Sequence, residues 1–345
     1  MRTPRVLVLA LVLAALLAGT AVQAQGPMLH DVRPGYGVTK IGWLSDYHAP
    51  LRGTRADTRV YYLDSGEPGP TAVILGGTHA NEIAGIAAAT LIVERAEVTK
   101  GRIIVIPYAN NSAASSIDDV RPNITTWSIE TESGTRIFRY GDRRTREADQ
   151  GPDPEVYVHY PSGYELDPDE ARNLNRAHPG KADGTLTQQA AYAYTQLIKQ
   201  ENAAIAVDMH EAGTESRLAN MLVANPKNLD LAVIAIVELE LKGVKMNVEQ
   251  SSEEFRGLSH REWGDHTQAY AYLIETPNPG QSPNIVDPDV VNDPKFPLAM
   301  RVATQLATVE AIFTAHELVL GERPQWINLP SYDELVQNGL GSYLR

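Results

Sequence analysis

Two histidines and two glutamates stand where a chain can gather metal ligands and a proton acceptor. His79 and Glu82 lie three residues apart in Gly77-Thr78-His79-Ala80-Asn81-Glu82. That spacing spans a loop and the first turn of a helix, so both side chains can face one ion. His210 closes Val207-Asp208-Met209-His210, and strand alternation puts Asp208 on its side. A carboxylate there can orient the imidazole or a neighbouring ligand. Glu275 ends the apolar run Ala269–Ile274 and precedes Thr276-Pro277. Arg172-Asn173-Leu174-Asn175-Arg176 supplies two guanidinium groups, which grip carboxylates in a two-pronged fashion. Each piece also has a plainer reading. His79 to Glu82 describes a helix start with its glutamate near the dipole. His210 alone is a satisfied core histidine, Glu275 a turn cap, and the arginine pair a solvated turn.

The elements that must position these groups alternate between strand and helix. Val60–Leu63 and Ala72–Leu75, separated by the turn-rich Asp64–Pro70, read as a strand pair. The second ends in Gly76-Gly77, whose glycines allow a sharp turn ahead of His79. Ile83, Ile86, Ala87, Thr90 and Leu91 recur at helical spacing over about four turns. Arg102–Tyr108 is another buried strand, so strand, helix and strand argue for a parallel sheet. Helices are expected over Leu186–Gln200, Lys227–Lys242 and Pro297–Leu320, and strands over Ala203–Met209 and Ala269–Ile274. His79, His210 and Glu275 all fall at carboxyl ends of strands, where ligands gather in open α/β sheets. Tyr270 and Tyr272 point to the face opposite Glu275 and are packing residues. The expected fold is one α/β domain over residues 25–345, an open, mainly parallel mixed sheet with helices on both faces. Residues 118–165 break the rhythm, with hairpin strands about Ser133-Gly134, and read as an insertion, either a lid or a surface loop. The tail after Glu322 is expected to be peripheral.

Composition narrows the setting. Arg2 and Arg5, the apolar run Val6–Ala18 and the small-residue end Val22-Gln23-Ala24 read as a secretory signal over residues 1–24, making the protein exported, periplasmic or secreted. The run is shorter than the ~20 residues that span a bilayer, and no later stretch is long and apolar enough. The net charge of −13 becomes −15 without Arg2 and Arg5, which argues against nucleic acid as a partner. With no cysteine, any metal must be held by histidine and carboxylate. A serine hydrolase would need a G-x-S-x-G elbow, which is absent.

Taken together, Gly77–Glu82, Asn175-Arg176, Asp208–His210 and Glu275-Thr276 resemble the zinc carboxypeptidases in kind and order. The chain is most similar to their deacylase relatives, the succinylglutamate desuccinylase and aspartoacylase group, over about Leu63 to Thr276. The resemblance implies one zinc ion held by His79, Glu82 and His210, with Glu275 as general base. It implies that Asn175 and Arg176 hold the substrate carboxylate, and the arginine that steadies the oxyanion is assigned to Arg172. The implied activity is hydrolysis of an amide bond in an N-acyl amino acid or a short peptide with a free carboxylate. An exported metallocarboxypeptidase and a non-catalytic zinc-binding protein on the same scaffold are the alternatives. A candidate base at Glu275 argues against the last, since a binder needs none.

Overall fold

The structure is a computed structural model and describes residues 26–345. The expected signal over residues 1–24 lies outside the described residues. Eight strands form the central sheet: β1 (Lys40–Trp43), β2 (Arg59–Asp64), β3 (Thr71–Gly76), β4 (Arg102–Ile106), β5 (Ala203–Gly213), β6 (Met221–Ala224), β7 (Asn247–Gln250) and β8 (Tyr270–Asn278). Their order is β1-β2-β4-β3-β5-β8-β6-β7. The four inner strands β4, β3, β5 and β8 are mutually parallel. β1 and β2 run antiparallel at one edge, and β6 and β7 close the other. This is the open, mainly parallel mixed sheet that the strand and helix alternation predicts.

One pairing differs. β2 and β3 are not neighbours, because β4 lies between them, antiparallel to β2 and parallel to β3. Beyond Arg102, β4 is apolar and buried, and the interior slot gives its backbone a ladder on both edges and its side chains cover on both faces.

Five helices cover the sheet: α1 (Ile83–Arg95), α2 (Leu186–Gln200), α3 (Leu229–Leu241), α4 (Ser259–His266) and α5 (Leu298–Leu320). Period-two alternation divides the strand residues between two cores. Ala72 and Ile74 of β3 pack with α1, α3 and α5, whereas Val73 and Leu75 pack with α2 and with Trp263 of α4. Trp263 and Phe313 are fully buried, and truncating either to alanine removes about 3–5 kcal/mol of stability. The tail is not peripheral. Gln325–Ile327 pairs with Glu97–Lys100, and Leu335, Leu340 and Leu344 are buried against the α1 and α5 side. Three leucines at near-regular spacing give this segment an apolar side that must find cover.

The segment between β4 and α2 carries the expected hairpin, Thr126–Thr131 with Gly134–Arg139. Trp127 stacks on Phe138 at 4.3 Å, and buried Arg136 reaches Glu94 of α1 at 2.8 Å and Asp31 at 2.9 Å. A guanidinium buried with its carboxylate cannot leave cheaply, because separation strands a charge away from water. The hairpin is thereby docked to the body of the protein. Among the described residues, no helix is long and apolar enough to cross a membrane.

Candidate metal centre

β3 ends at Gly76, and Gly77, at φ +69°, turns the chain so that Thr78 and His79 stand above the sheet edge. A side chain at Gly76 would collide with Gly85 O at 2.2 Å, so this glycine lets α1 pack directly on the strand. Glu82 stands at the N-cap position of α1, but its carboxylate does not cap the helix and turns to the histidines instead. β5 is hydrogen-bonded to β3 on one side and to β8 on the other, and its His210 pairs in register with Glu275. Residues from three parts of the chain therefore converge at the carboxyl ends of β3, β5 and β8.

The contacts are close. Glu82 Oε1 lies 2.6 Å from His79 Nδ1, and Glu82 Oε2 lies 2.7 Å from His210 Nδ1. The two imidazoles sit edge to face with centroids 4.8 Å apart. The far nitrogens are engaged elsewhere. His79 Nε2 is 2.9 Å from Asn173 Oδ1, and that amide is oriented by the N–H of Asn175 and by Glu170. His210 Nε2 is 2.9 Å from Asp208 Oδ2 in an ionic contact too bent for a well-aligned hydrogen bond. Asp208 is itself held by the Thr78 hydroxyl. With their Nε2 atoms facing these oxygens, both imidazoles present Nδ1 to the Glu82 carboxylate, and these are the nitrogens that could ligate an ion once the proton between His210 and Glu82 has left. Three acceptor groups with ligand atoms within 4.8 Å of one another fit a single cation, and this donor set of two nitrogens and a carboxylate suits zinc.

The electrostatics agree with the geometry. Burial pushes His79 down to about 4, so its ring is neutral. Burial also opposes charge on His210, but Asp208 and Glu82 outweigh it and hold that imidazole well above its ordinary value. Glu82 is raised by burial and lowered more strongly by His79 and His210, so it remains ionised. Glu275 is half-buried at the cavity wall, its Oε2 meets no hydrogen-bond partner among the described residues, and desolvation with the charge of Glu82 pushes it up to about 8. A carboxyl group poised near neutrality beside a cation site suits proton transfer.

A cavity of about 450 Å³ opens beside these groups, lined by His79, Glu82, Asn175, Arg176 and Glu275 among others. Asn175 Oδ1 accepts the N–H of Ser259, which ties the arginine segment to the start of α4. Arg176 donates to Asn175 O and makes no ion pair among the described residues, while burial lowers its pKa. Glu170 and Glu275 act on this half-buried guanidinium through space without pairing with it, so its donors are open to an anionic ligand.

Arg172 stands apart from the cavity. Its guanidinium forks onto Asp153 at 2.7 and 2.8 Å and donates to Thr145 O, so its role is to brace the insertion. Within residues 118–165 the residue that lines the cavity is Arg143, which joins Arg176 and Arg256 there. Ala80 N donates to Asp142 O and Gly141 N to Ala80 O, a backbone clasp that carries Arg143 alongside His79. No local pattern marks it, since the clasp is made by residues sixty positions apart. Gln281, which donates to Glu82 Oε1 at 3.0 Å, is a second residue that spacing does not reveal. Beneath the site, Glu211 and Arg301 form a fully buried pair at 2.6 Å, and Glu211 also accepts from Ala84 N at the start of α1.

Fold and site together define the class: an open, mainly parallel α/β sheet carrying a candidate cation site of two histidines and one glutamate, with a carboxyl group and three arginines, Arg143, Arg176 and Arg256, at its cavity. No family model matches the chain. Among curated proteins, 147 residues are 26% identical to the N-alpha-acetyl-L-2,4-diaminobutyric acid deacetylase of Halomonas elongata, covering 42% of this chain and 29% of that protein. The match thus spans less than a third of the relative's length. Similar solved structures include a succinylglutamate desuccinylase from a Silicibacter species, with 14% identity and a TM-score of 0.47 over 88% of this chain and 74% of that one. A succinylglutamate desuccinylase/aspartoacylase from Rhodobacter sphaeroides gives 18% and 0.47 over 84% and 69%. The cell shape determinant protein Csd4 of Helicobacter pylori, with product bound, gives 12% and 0.48 over 78% and 55%.

Proposed function

We propose that the protein is an exported zinc-dependent amide hydrolase acting on an N-acyl amino acid or a short peptide with a free carboxylate. The observation that carries this reading is the convergence of two imidazole Nδ1 atoms and the Glu82 carboxylate on one point, beside the near-neutral carboxyl group of Glu275. Zinc, when bound, acidifies water and polarises the scissile carbonyl. Asn173 and Asp208 hold the tautomers that leave both Nδ1 atoms free to ligate. Glu275 takes a proton from the attacking water and delivers it to the leaving nitrogen, so that water and amide become acid and amine. Arg176 binds the substrate carboxylate, and Arg143 stabilises the negative charge that develops on the carbonyl oxygen. The Halomonas elongata relative is a deacetylase, which agrees with this reading. Export rests on the first 24 residues of the sequence.

The test is a screen of N-acyl amino acids against short peptides, read by mass spectrometry, with and without chelator. Hydrolysis should be lost on chelation and restored by zinc, and Glu275→Gln should abolish turnover while zinc stays bound. Hydrolysis that ignores the chelator, or a Glu275→Gln protein of full activity, refutes the assignment.

A further inference from the structure

Asp118, Asp119 and Asp142 each bring a carboxylate oxygen within 4.8 Å of the other two, and Asp118 and Asp142 are buried. The cluster stands where the insertion meets the loop that carries His79 and Glu82. Asp118 and Asp119 precede the hairpin, Asp142 follows it, and the carbonyl of Asp142 accepts the N–H of Ala80. Three like charges so gathered repel one another. Burial pushes Asp142 up to about 6, and Asp119 and Asp118 add to it against the N–H of Arg143 and the charge of Arg144. The neighbouring arginines are engaged elsewhere. Arg144 lies 2.6 Å from Asp169 and 3.8 Å from Asp119, and Arg121 donates to the carbonyls of Gly280 and Ser282.

Carboxylates gather on many surfaces without an ion, but Asn81 adds an independent sign. It is 8% exposed, its Nδ2 donates to Asp118 Oδ2 at 2.7 Å, and its Oδ1 meets no hydrogen-bond partner among the described residues. The amide is thus held against the cluster with a buried acceptor unanswered. The hydroxyl of Tyr140, two residues before Asp142, is likewise buried and unpartnered among the described residues, and Asp118 is the charge that acts on it most. Buried oxygens left open in this way call for a ligand.

We propose that Asp118, Asp119, Asp142 and the Oδ1 of Asn81 form a second cation site, separate from the two-histidine centre, and that it takes calcium. Every donor is an oxygen and three carry charge, which is the set of a hard cation and not of zinc. Calcium accepts about six to eight oxygens in irregular geometry, whereas magnesium demands a strict octahedron. The side chain of Asp119 is 68% exposed, so water can complete the shell. An ion here fastens both ends of the stretch 118–142 to the loop between His79 and Glu82. It thereby seats the next residue, Arg143, at the cavity wall. The site stands on its own geometry, whether or not the protein is a hydrolase.

The test is a calorimetric titration of the zinc-loaded protein with calcium chloride. One site is expected, with a Kd of about 10⁻⁴ M. Calcium at about a hundred times that Kd should raise the thermal midpoint by about 4 °C. It should also slow amide exchange within residues 118–142 while leaving α3 unaffected. Asp119→Asn, a change at an exposed side chain, should weaken calcium about ten-fold or more, and adding Asp142→Asn should abolish its binding. Zinc content should be unchanged in both. Should the double variant fail to fold, Asp119→Asn decides. No heat and no midpoint shift at about 10 mM calcium overturns the proposal, since that is well above the weak end of the range for such sites. So does an affinity that Asp119→Asn leaves unchanged, tighter binding of magnesium, or calcium that binds without slowing exchange in 118–142. None of these outcomes bears on hydrolysis, which the chelator screen tests on its own.

Discussion

Loading zinc between His79, Glu82 and His210 at neutral pH should expel protons, and the number is set by the structure. The 2.7 Å contact from His210 Nδ1 to Glu82 holds a proton when no ion is present, because Asp208 and Glu82 keep that imidazole charged. Glu275, at about 8, is protonated in about nine molecules of ten at pH 7. His79 is neutral and Glu82 already ionised, so neither contributes. A dication displaces the proton on His210 directly and draws off that of Glu275 by its charge. About two protons should therefore leave per zinc at pH 7. The metal-free state holds the extra protons, so affinity must rise with pH and weaken as pH falls. The slope is about two decades, or about 2.7 kcal/mol, per unit. Above about 8 the Glu275 contribution fades and a one-proton slope remains. Zinc titrations by calorimetry at pH 7, in buffers of different protonation enthalpy, count the protons directly. Glu275→Gln should lower the count by about one. A count near zero, or one that the variant leaves unchanged, refutes the protonation states on which the reasoning stands.

Three further outcomes follow from the same geometry. Arg143→Met should reduce kcat/KM by about 10²–10³-fold with zinc content unchanged, measured by steady-state kinetics and metal analysis, because one preorganised donor is removed from the developing oxyanion. Arg172→Ala should leave turnover within two-fold or so of wild type and lower the unfolding free energy from denaturant titration by about 1 kcal/mol, since it breaks only a partly exposed fork onto Asp153. Asp208→Asn should weaken zinc binding by about 10–100-fold in chelator competition, because His210 loses the charge that orients it.

Much of the site was legible because its parts sit at punctuation marks. His79, His210 and Glu275 each end an apolar run, and period-two alternation places Asp208 beside His210 without any tertiary knowledge. The parts that spacing missed are made by long-range contacts. Arg143 owes its position to a backbone clasp with Ala80, and Arg172 is withdrawn by Asp153, a residue in an irregular loop. β6 is only four residues long, and α4, reading Ser-His-Arg-Glu-Trp-Gly-Asp-His, is polar and short, so neither declares itself by periodicity. The pairing of β2 with β4 was equally hidden, because strand order depends on which apolar run wins the interior slot. The tail misled through its charged, proline-bearing start, which gives no hint of the leucines that seat it.

β5 is pinned along both edges, and its ladder with β8 runs without interruption from Ile205 to Gly213. A slip of one position would send His210 to the opposite face of the sheet together with every other side chain on that strand. The centre therefore has no gently distorted versions available to it. Mutations deep in β3, β5 or β8 will tend either to leave its geometry whole or to destroy it together with the sheet, and intermediate activities will have to come from the loops that carry the arginines.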